Sequence, residues 1–154
     1  IPGLKCAQLV ITNDEHQAAM KDLAFAVSHG AATPGLIANT AAYRDGLPWL
    51  EDVLGYIDTN RTLLGELLAE HLPEVTYRAP EGTYIAWLDA TCLPDIAGDR
   101  SWATFFSEEA KVGLTDGAAC GKAGIGHLRM MLAAPSHVLE KIVLAMAHAV
   151  DRHR

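Results

Sequence analysis

The sequence of 154 residues is long enough for one ordinary domain with a hydrophobic core. Half of the residues are apolar and 20% are charged, which is typical of a folded globular protein rather than a disordered one. The formal net charge of −7 argues against nucleic acid or an anionic membrane as the main partner, because phosphate groups bind basic surfaces. No apolar run approaches the roughly 20 residues that span a bilayer, so we expect no membrane segment.

The cysteines and the first residues indicate the setting of the chain. Cys6, Cys92 and Cys120 are far apart and form no metal-ligand pattern with histidine. This usage favours a reducing compartment, and we therefore expect a cytoplasmic protein without a metal site. The chain begins with Ile1 rather than methionine, which is compatible with a piece of a longer protein.

The first third of the chain predicts one strand and two helices. Residues 4–12 form a mostly apolar run, typical of a buried strand in a parallel sheet. Asp14 or Asn13 would cap a helix over 15–28, where apolar residues recur at helical spacing. A glycine- and proline-rich loop over 29–35 then leads into a second helix over 36–44.

The longest periodic segment covers residues 47–72 and predicts a single helix that Pro73 ends. A helix of this length spans about 35–40 Å, enough to connect two domains. Beyond it, the pattern predicts two strands over 75–79 and 83–89, and then a helix over 101–111 that begins with a serine cap.

The last elements complete a mixed α/β fold. We predict a strand over 112–115, a strand over 127–132 and a final amphipathic helix over 136–152. The glycine-rich segment 121–126 leads into a strand and not into a helix, so we interpret it as a turn and not a phosphate-binding loop. The fold prediction is therefore an α/β protein in two unequal parts joined by the long helix.

The strand over 127–132 carries a candidate binding residue, Arg129. Because side chains alternate along a strand, His127, Arg129 and Met131 share one face and Leu128, Met130 and Leu132 share the other. A guanidinium group has a planar fork that matches a carboxylate with two hydrogen bonds. From the residues alone, Arg129 is either such a carboxylate clamp or a structural ion pair with a nearby acidic residue.

Other catalytic patterns are missing from the sequence. It contains no Gly-x-Ser-x-Gly elbow of a serine hydrolase, and we identify no nucleophile and no general acid–base pair. Lys5, beside the predicted first strand, is either an anion contact or an ordinary surface residue.

Several segments resemble a known family in their order and spacing: 1–4, 39–50, 56–60, 82–89 and 127–129. The most specific are Gly82-Thr-Tyr-Ile-Ala-Trp-Leu-Asp89 and the Ala-Ala-Tyr…Trp-Leu block within 39–50. They resemble the cystathionine β-lyase, or carbon–sulfur lyase, branch of the class I/II aminotransferases, which are fold-type I enzymes dependent on pyridoxal 5′-phosphate (PLP). The resemblance covers essentially the whole chain.

This resemblance implies the C-terminal part of the PLP-transferase fold. Residues 1–46 would be the end of the large, PLP-binding domain, 47–72 the interdomain helix and 73–154 the small C-terminal α/β domain. The resemblance also implies a homodimer in the full-length enzyme, in which the loop 29–35 would reach towards the partner subunit's site.

The resemblance also implies roles for two residues. Arg129 matches the arginine that grips the α-carboxylate of the amino-acid substrate. Lys5 falls where many aminotransferases place a basic residue on the phosphate of PLP, although this branch varies there. The Schiff-base lysine of the family lies in a Ser-Lys-x-x-Asn run just before the position of Ile1, so no catalytic residue is expected within the chain.

The implied activity is β-elimination from a sulfur amino acid, which gives pyruvate, ammonia and a thiol. The chain alone would then be inactive and would not retain PLP. One alternative is an aminotransferase, because the same arginine serves both reactions; a second is a stand-alone binding domain. The family often has an aromatic residue at His127, asparagine at Met131 and phenylalanine at Cys120, and these departures leave the substrate preference open.

Overall fold

The computed structural model describes residues 2–154, which form two compact units that divide after Asp52. Within these residues, no helix is long and apolar enough to cross a membrane. The same residues contain no cluster of three or more histidine, cysteine, aspartate or glutamate side chains that could hold a metal ion.

The first unit is helical. A short 3-10 helix at Pro2–Leu4 is followed by irregular chain and then by helices α1 (Asp14–Met20), α2 (Ala24–Ser28), α3 (Thr33–Asp45) and the first residues of α4 (Leu47–His71). Of the two predicted cap candidates, Asn13 caps α1, since its side-chain oxygen accepts a hydrogen bond from the backbone N–H of His16 at 3.0 Å, and Asp14 is the first helical residue.

The predicted strand over residues 4–12 is wrong. Leu4 ends the 3-10 helix and the following residues are irregular, with Leu9 67% and Val10 81% exposed. A strand depends on hydrogen bonds to neighbouring strands, and the described part of this unit contains no strand. The apolar run is therefore left without a sheet to be buried in.

The single helix predicted over residues 15–28 is also wrong, because a turn at 21–23 separates α1 from α2. Neither helix buries a residue, so no packing stabilises a continuous apolar stripe. The second predicted helix is confirmed as α3 but starts earlier, at Thr33, because Pro34 in its first turn is already set for helical geometry. The long helix predicted over 47–72 is confirmed as α4.

The second unit is built on a four-stranded antiparallel sheet. The strands are β1 (Thr76–Tyr77), β2 (Ile85–Asp89), β3 (Thr115–Asp116) and β4 (His127–Met131), in the order β1-β2-β4-β3. Two helices complete it, α5 (Trp102–Glu109) and α6 (Ser136–His153). The strand predicted over 112–115 is mostly wrong, since only Thr115 of that range is paired.

One face of this sheet packs against α4, α5 and α6 to form the core. Fully buried side chains come from every one of these elements: Leu64, Leu68, Leu88, Phe105, Phe106, Leu128, Leu139, Val143 and Met146. The predicted alternation along β4 is confirmed, because Leu128, Met130 and Leu132 are buried. Arg129 consequently lies on the opposite, partly exposed face of the sheet.

Candidate functional site

Arg129 lies at the middle of β4, which is an inner strand of the sheet. Its backbone is opposite Trp87 of β2 on one side and Thr115 of β3 on the other. Two flanking strands therefore fix the position of its Cα, while the guanidinium group projects from the face that is not packed into the core. The fold presents this one charged group from a rigid element rather than from a loop.

The guanidinium group of Arg129 has no partner among the residues that the structure describes. Within the described residues 2–154 it forms no ion pair and no hydrogen bond with another side chain or with the backbone. The structural ion pair that the sequence left open is therefore not formed there. A half-buried guanidinium with all of its donors available is suited to bind a carboxylate through two parallel hydrogen bonds.

The acidic residue on the neighbouring strand is engaged elsewhere. Asp89 is paired with His127 across β2 and β4, and its Oδ2 atom lies 3.9 Å from His127 Nε2. Its Oδ1 atom accepts hydrogen bonds from the hydroxyl of Thr91 at 2.6 Å and from the backbone N–H of Thr91 at 2.9 Å. These bonds, more than the charge of His127, hold the pKa of Asp89 below its usual value.

Aromatic rings flank the arginine on the same face. Trp87, directly opposite Arg129, stacks on the ring of His127 with 5.7 Å between ring centroids. Trp87 is still 38% exposed, so the face offers an apolar surface beside the guanidinium group. Such a surface can contact the carbon chain of a bound carboxylic acid while the arginine binds its charge.

Two residues of α4 hold the chain where β4 ends. Asn60 is fully buried, and its Nδ2 atom donates hydrogen bonds to the carbonyl oxygens of Leu132 at 2.8 Å and Ala134 at 2.7 Å. Its Oδ1 atom accepts from the hydroxyl of Ser136 at 2.8 Å, and the phenol oxygen of Tyr56 accepts from the backbone N–H of Ser136, also at 2.8 Å. The hydrogen bonds from Ser136 lower the pKa of Tyr56.

Sequence reasoning missed the role of Tyr56 and Asn60, although both lie in a segment that carries the family resemblance. Their spacing of four residues places them on one face of α4. A polar pair at that spacing within an otherwise apolar helix face was the available signal. Their partners, however, lie more than 70 positions along the chain, which no local pattern could identify.

The chain enters β4 through a tight crossing of two glycines. A Cβ atom on Gly117 would overlap the carbonyl oxygen of Gly124, and a Cβ atom on Gly124 would overlap the backbone of Gly117. Gly126 has a φ of 81°, which favours glycine, and its carbonyl oxygen accepts a hydrogen bond from the N–H of Ala90. The segment 121–126 leads into the strand β4, as predicted, but Lys122–Gly124 within it form a short 3-10 helix and not a simple turn.

Lys5 lies in the first unit, so its surroundings are described separately from those of Arg129. Its side chain is exposed and its ammonium group forms no ion pair within the described residues. The backbone of Lys5 is left-handed, with a φ of 47°, and its carbonyl oxygen accepts a hydrogen bond from the N–H of Ala32 at 3.4 Å. Gly35 permits this arrangement, because a Cβ atom there would overlap Leu4 and Cys6.

Comparison with known proteins gives consistent relatives, although no protein-family model matches the chain. A protein of Mycobacterium tuberculosis provisionally named cystathionine beta-lyase is 37% identical over 169 residues, which cover 99% of this chain and 40% of that protein. Protein MalY of Escherichia coli is 31% identical over 157 residues, or 97% of this chain and 38% of MalY. The chain thus spans about 40% of the length of these relatives.

A solved structure agrees with these relatives. The crystal structure of a provisionally named PLP-dependent beta-cystathionase from Corynebacterium diphtheriae superposes with a TM-score of 0.87 and 36% sequence identity. The superposition covers 100% of this chain and 40% of that chain. The chain therefore has the fold of one part, about 40%, of this PLP-dependent protein.

Proposed function

We propose a function from the premise that the chain belongs to the cystathionine β-lyase branch of the fold-type I PLP-dependent enzymes. The full-length protein is then a carbon–sulfur β-lyase that acts on a sulfur amino acid, and this chain is its C-terminal portion. The proposal rests on relatives of which the chain spans about 40%. Two further expectations stay predictions: a homodimer in the cytoplasm and the domain division 1–46, 47–72 and 73–154.

The observation that carries the proposal is the unpaired Arg129 on an inner strand. Its guanidinium group binds the α-carboxylate of the amino acid, and the strands on both sides keep that carboxylate in one place. PLP, when bound, supplies the electron sink for the charge that develops when the Cα–H bond breaks. The contribution of Arg129 is to orient the substrate so that this bond is correctly aligned.

Lys5 is the described residue that fits the phosphate group of PLP. Its ammonium group has no carboxylate partner within residues 2–154, and its left-handed backbone is held by the contact with α3. An exposed, unpaired ammonium group is a suitable phosphate ligand. We assign Lys5 to the phosphate on this basis, and we place the lysine that carries PLP outside this chain.

Substitution of Arg129 by lysine in the full-length protein tests the proposal. Lysine keeps the positive charge but loses the planar fork, so we expect the KM for L-cystathionine to rise by about 10-fold to 100-fold. Arg78→Lys is the matched control, because Arg78 is exposed and lies just beyond β1. An unchanged KM in Arg129→Lys would contradict the assignment of the clamp.

An aminotransferase remains the second candidate, because a carboxylate clamp serves both reactions. The two reactions differ in their products from a single substrate. Pyruvate that accumulates over many turnovers with L-cystathionine alone supports the lyase. Conversion that stops after one equivalent of enzyme and resumes only when a 2-oxo acid is added supports the aminotransferase.

The expected inactivity of the chain alone needs its own test. Residues 1–154 and the full-length protein are assayed side by side for pyruvate release from L-cystathionine after incubation with PLP. We expect turnover from the full-length protein only. Turnover by residues 1–154 would show that a lysine within this chain carries PLP. No pyruvate from either protein, together with no conversion when a 2-oxo acid is added, would favour the stand-alone binding domain.

A further inference from the structure

We propose that Asn60 and Tyr56 are positioning residues for Arg129, a role that rests on the carboxylate clamp proposed above. Both side chains act on the segment that follows β4 and not on the substrate. They connect α4, the long helix, to the residues that directly follow the strand that carries the arginine.

Strand pairing holds β4 along its length, and Asn60 adds a connection to α4 where the strand ends. Pairing with β2 and β3 fixes Arg129 sideways and in register. Where the strand ends, the N–H of Leu132 donates to the carbonyl oxygen of Tyr84 at 2.7 Å. The carbonyl oxygen of Leu132 accepts from Nδ2 of Asn60. The side chain of Asn60 therefore extends the hydrogen bonding of the strand at a position where no further strand pairing is present in the described residues.

Both ends of the Asn60 side-chain amide form hydrogen bonds. Its Nδ2 atom donates to the carbonyl oxygens of Leu132 and Ala134, and its Oδ1 atom accepts from the hydroxyl of Ser136. The three partners lie at three different positions along the turn between β4 and α6. A fully buried amide with three partners has only one orientation that satisfies them. The turn between β4 and α6 is consequently held in one position relative to α4.

The start of α6 has no side-chain cap from its own residues. The phenol oxygen of Tyr56 accepts the first free N–H of that helix, from Ser136, and so takes the place of the missing cap. Tyr56 is 46% exposed, so its hydroxyl can be removed without opening a cavity in the core. It is the more tractable of the two residues for an experiment.

The experiment compares two ligands of the full-length PLP-bound protein, L-alanine and ethylamine, which differ in the α-carboxylate and not in the amine. Dissociation constants are read from the visible absorbance of the bound PLP. Tyr56→Phe should raise the dissociation constant of L-alanine by about threefold to tenfold, the effect of one weakened hydrogen bond at the clamp. The dissociation constant of ethylamine should stay unchanged. Asn60→Asp keeps the shape of the side chain but cannot donate to Leu132 and Ala134, so it should raise the dissociation constant of L-alanine further.

Two reference variants separate this inference from the proposal on which it rests. Tyr77→Phe is the matched control, because it removes a tyrosine hydroxyl that also bonds to α4, through the carbonyl oxygen of Arg61 at 3.3 Å, but that has no hydrogen bond to the segment after β4 in the described residues. Arg129→Lys measures the clamp itself. If Arg129→Lys discriminates between the ligands but Tyr56→Phe does not, the positioning role is overturned and the clamp survives.

The remaining outcomes are equally informative. Equal weakening of L-alanine and ethylamine by Tyr56→Phe would indicate general loosening and overturn the positioning role. If Arg129→Lys itself fails to discriminate, the clamp is wrong and this inference falls with it. Should Asn60→Asp fail to fold, Tyr56→Phe alone decides the result.

Discussion

The two units of the chain carry apolar residues in similar patterns but use them differently. In the described part of the first unit, the only buried residue is Gly35, and Leu9, Val10, Phe25 and Ile37 are more than half exposed. In the second unit, the same kinds of side chain form a core with many members at 0% exposure. An amphipathic pattern therefore predicts which face of an element is to be buried. It does not predict whether the chain contains the other elements against which that face packs.

The candidate site follows the same division. Arg129 is held by strand pairing on both sides and by a core beneath its sheet. Lys5 is held by one backbone hydrogen bond and by the close approach of Gly35. The second unit can present its functional group from its own packing, whereas the first unit depends on few internal contacts.

The largest expected effect comes from truncating the core of the second unit. Leu139 is 0% exposed on α6, and Leu139→Ala should cost about 2–5 kcal/mol of unfolding free energy, because it removes packed methyl groups and leaves a cavity. The measurement is urea denaturation of residues 1–154. Leu9→Ala, at a position 67% exposed, is the matched control and should change the free energy by less than about 0.5 kcal/mol.

In the full-length protein, Leu9→Ala tests whether other parts of the chain cover the first unit. If chain outside these residues covers the first unit, Leu9→Ala should become destabilising there by about 2–5 kcal/mol, as for a buried leucine. A Leu9→Ala variant that stays neutral in the full-length protein would show that the first unit is exposed by nature. The apparent melting temperatures of both proteins, wild type and variant, provide the data.

The next effect concerns the glycine crossing before β4. Gly124→Ala places a methyl group against the backbone of Gly117, which cannot yield as a flexible side chain would, so we expect a loss of about 1–3 kcal/mol. Gly113→Ala is the matched control, because a Cβ atom there meets nothing within 4 Å. Equal melting temperatures for the two variants would mean that the crossing is loose in solution.

A smaller effect should distinguish the two helix caps. The hydroxyl of Ser101 accepts from the N–H of Thr104 at 3.3 Å, and α5 buries Phe105 and Phe106. Ser101→Ala should therefore lower global stability by about 1 kcal/mol. Asn13 forms the corresponding cap on α1, which buries nothing, so Asn13→Ala should only fray that helix.

Amide hydrogen exchange checks this contrast between the caps. In Asn13→Ala, the amide of His16 should exchange faster while the denaturation midpoint stays unchanged. In Ser101→Ala, the midpoint itself should fall. A midpoint that falls equally in both variants would mean that the first unit unfolds together with the second.

The elements that could be predicted from the sequence are those whose pattern is satisfied locally or by the core of the second unit. The alternation along β4, the caps at Asn13 and Ser101, and the long helix α4 all follow from near neighbours in sequence. The strand expected over 4–12 could not form, because a strand needs partners and its pattern alone does not supply them.

The candidate site was only half predictable for a related reason. The face on which Arg129 lies follows from alternation, and its assignment to a carboxylate came from the family resemblance. That it lacks a carboxylate partner in the described structure depends on where every acidic side chain lies in space. The three hydrogen bonds of Asn60 likewise join residues more than 70 positions apart, beyond the reach of any local pattern.

The smallest expected effect is the pH dependence of Asp89. The hydrogen bonds from Thr91 hold the pKa of Asp89 below its usual value, so the ionised carboxylate contributes stability above that value and loses it as the pH falls through the lowered pKa. Because the side chain is 36% exposed, solvent screening limits this contribution to about 0.2–1 kcal/mol. Asp89→Asn should therefore lower the melting temperature slightly at pH 6, and this difference from wild type should shrink as the pH falls through the lowered pKa.

The control for this last comparison is Asp99→Asn, since Asp99 is exposed and its side chain has no hydrogen bond to another described residue. Other carboxylates titrate over the same range, so the difference between each variant and wild type at one pH is the relevant quantity. That difference should shrink on acidification for Asp89→Asn and stay near zero for Asp99→Asn. A difference that grows on acidification would mean that the pKa of Asp89 is raised rather than lowered, and that the hydrogen bonds from Thr91 do not stabilise its ionised form.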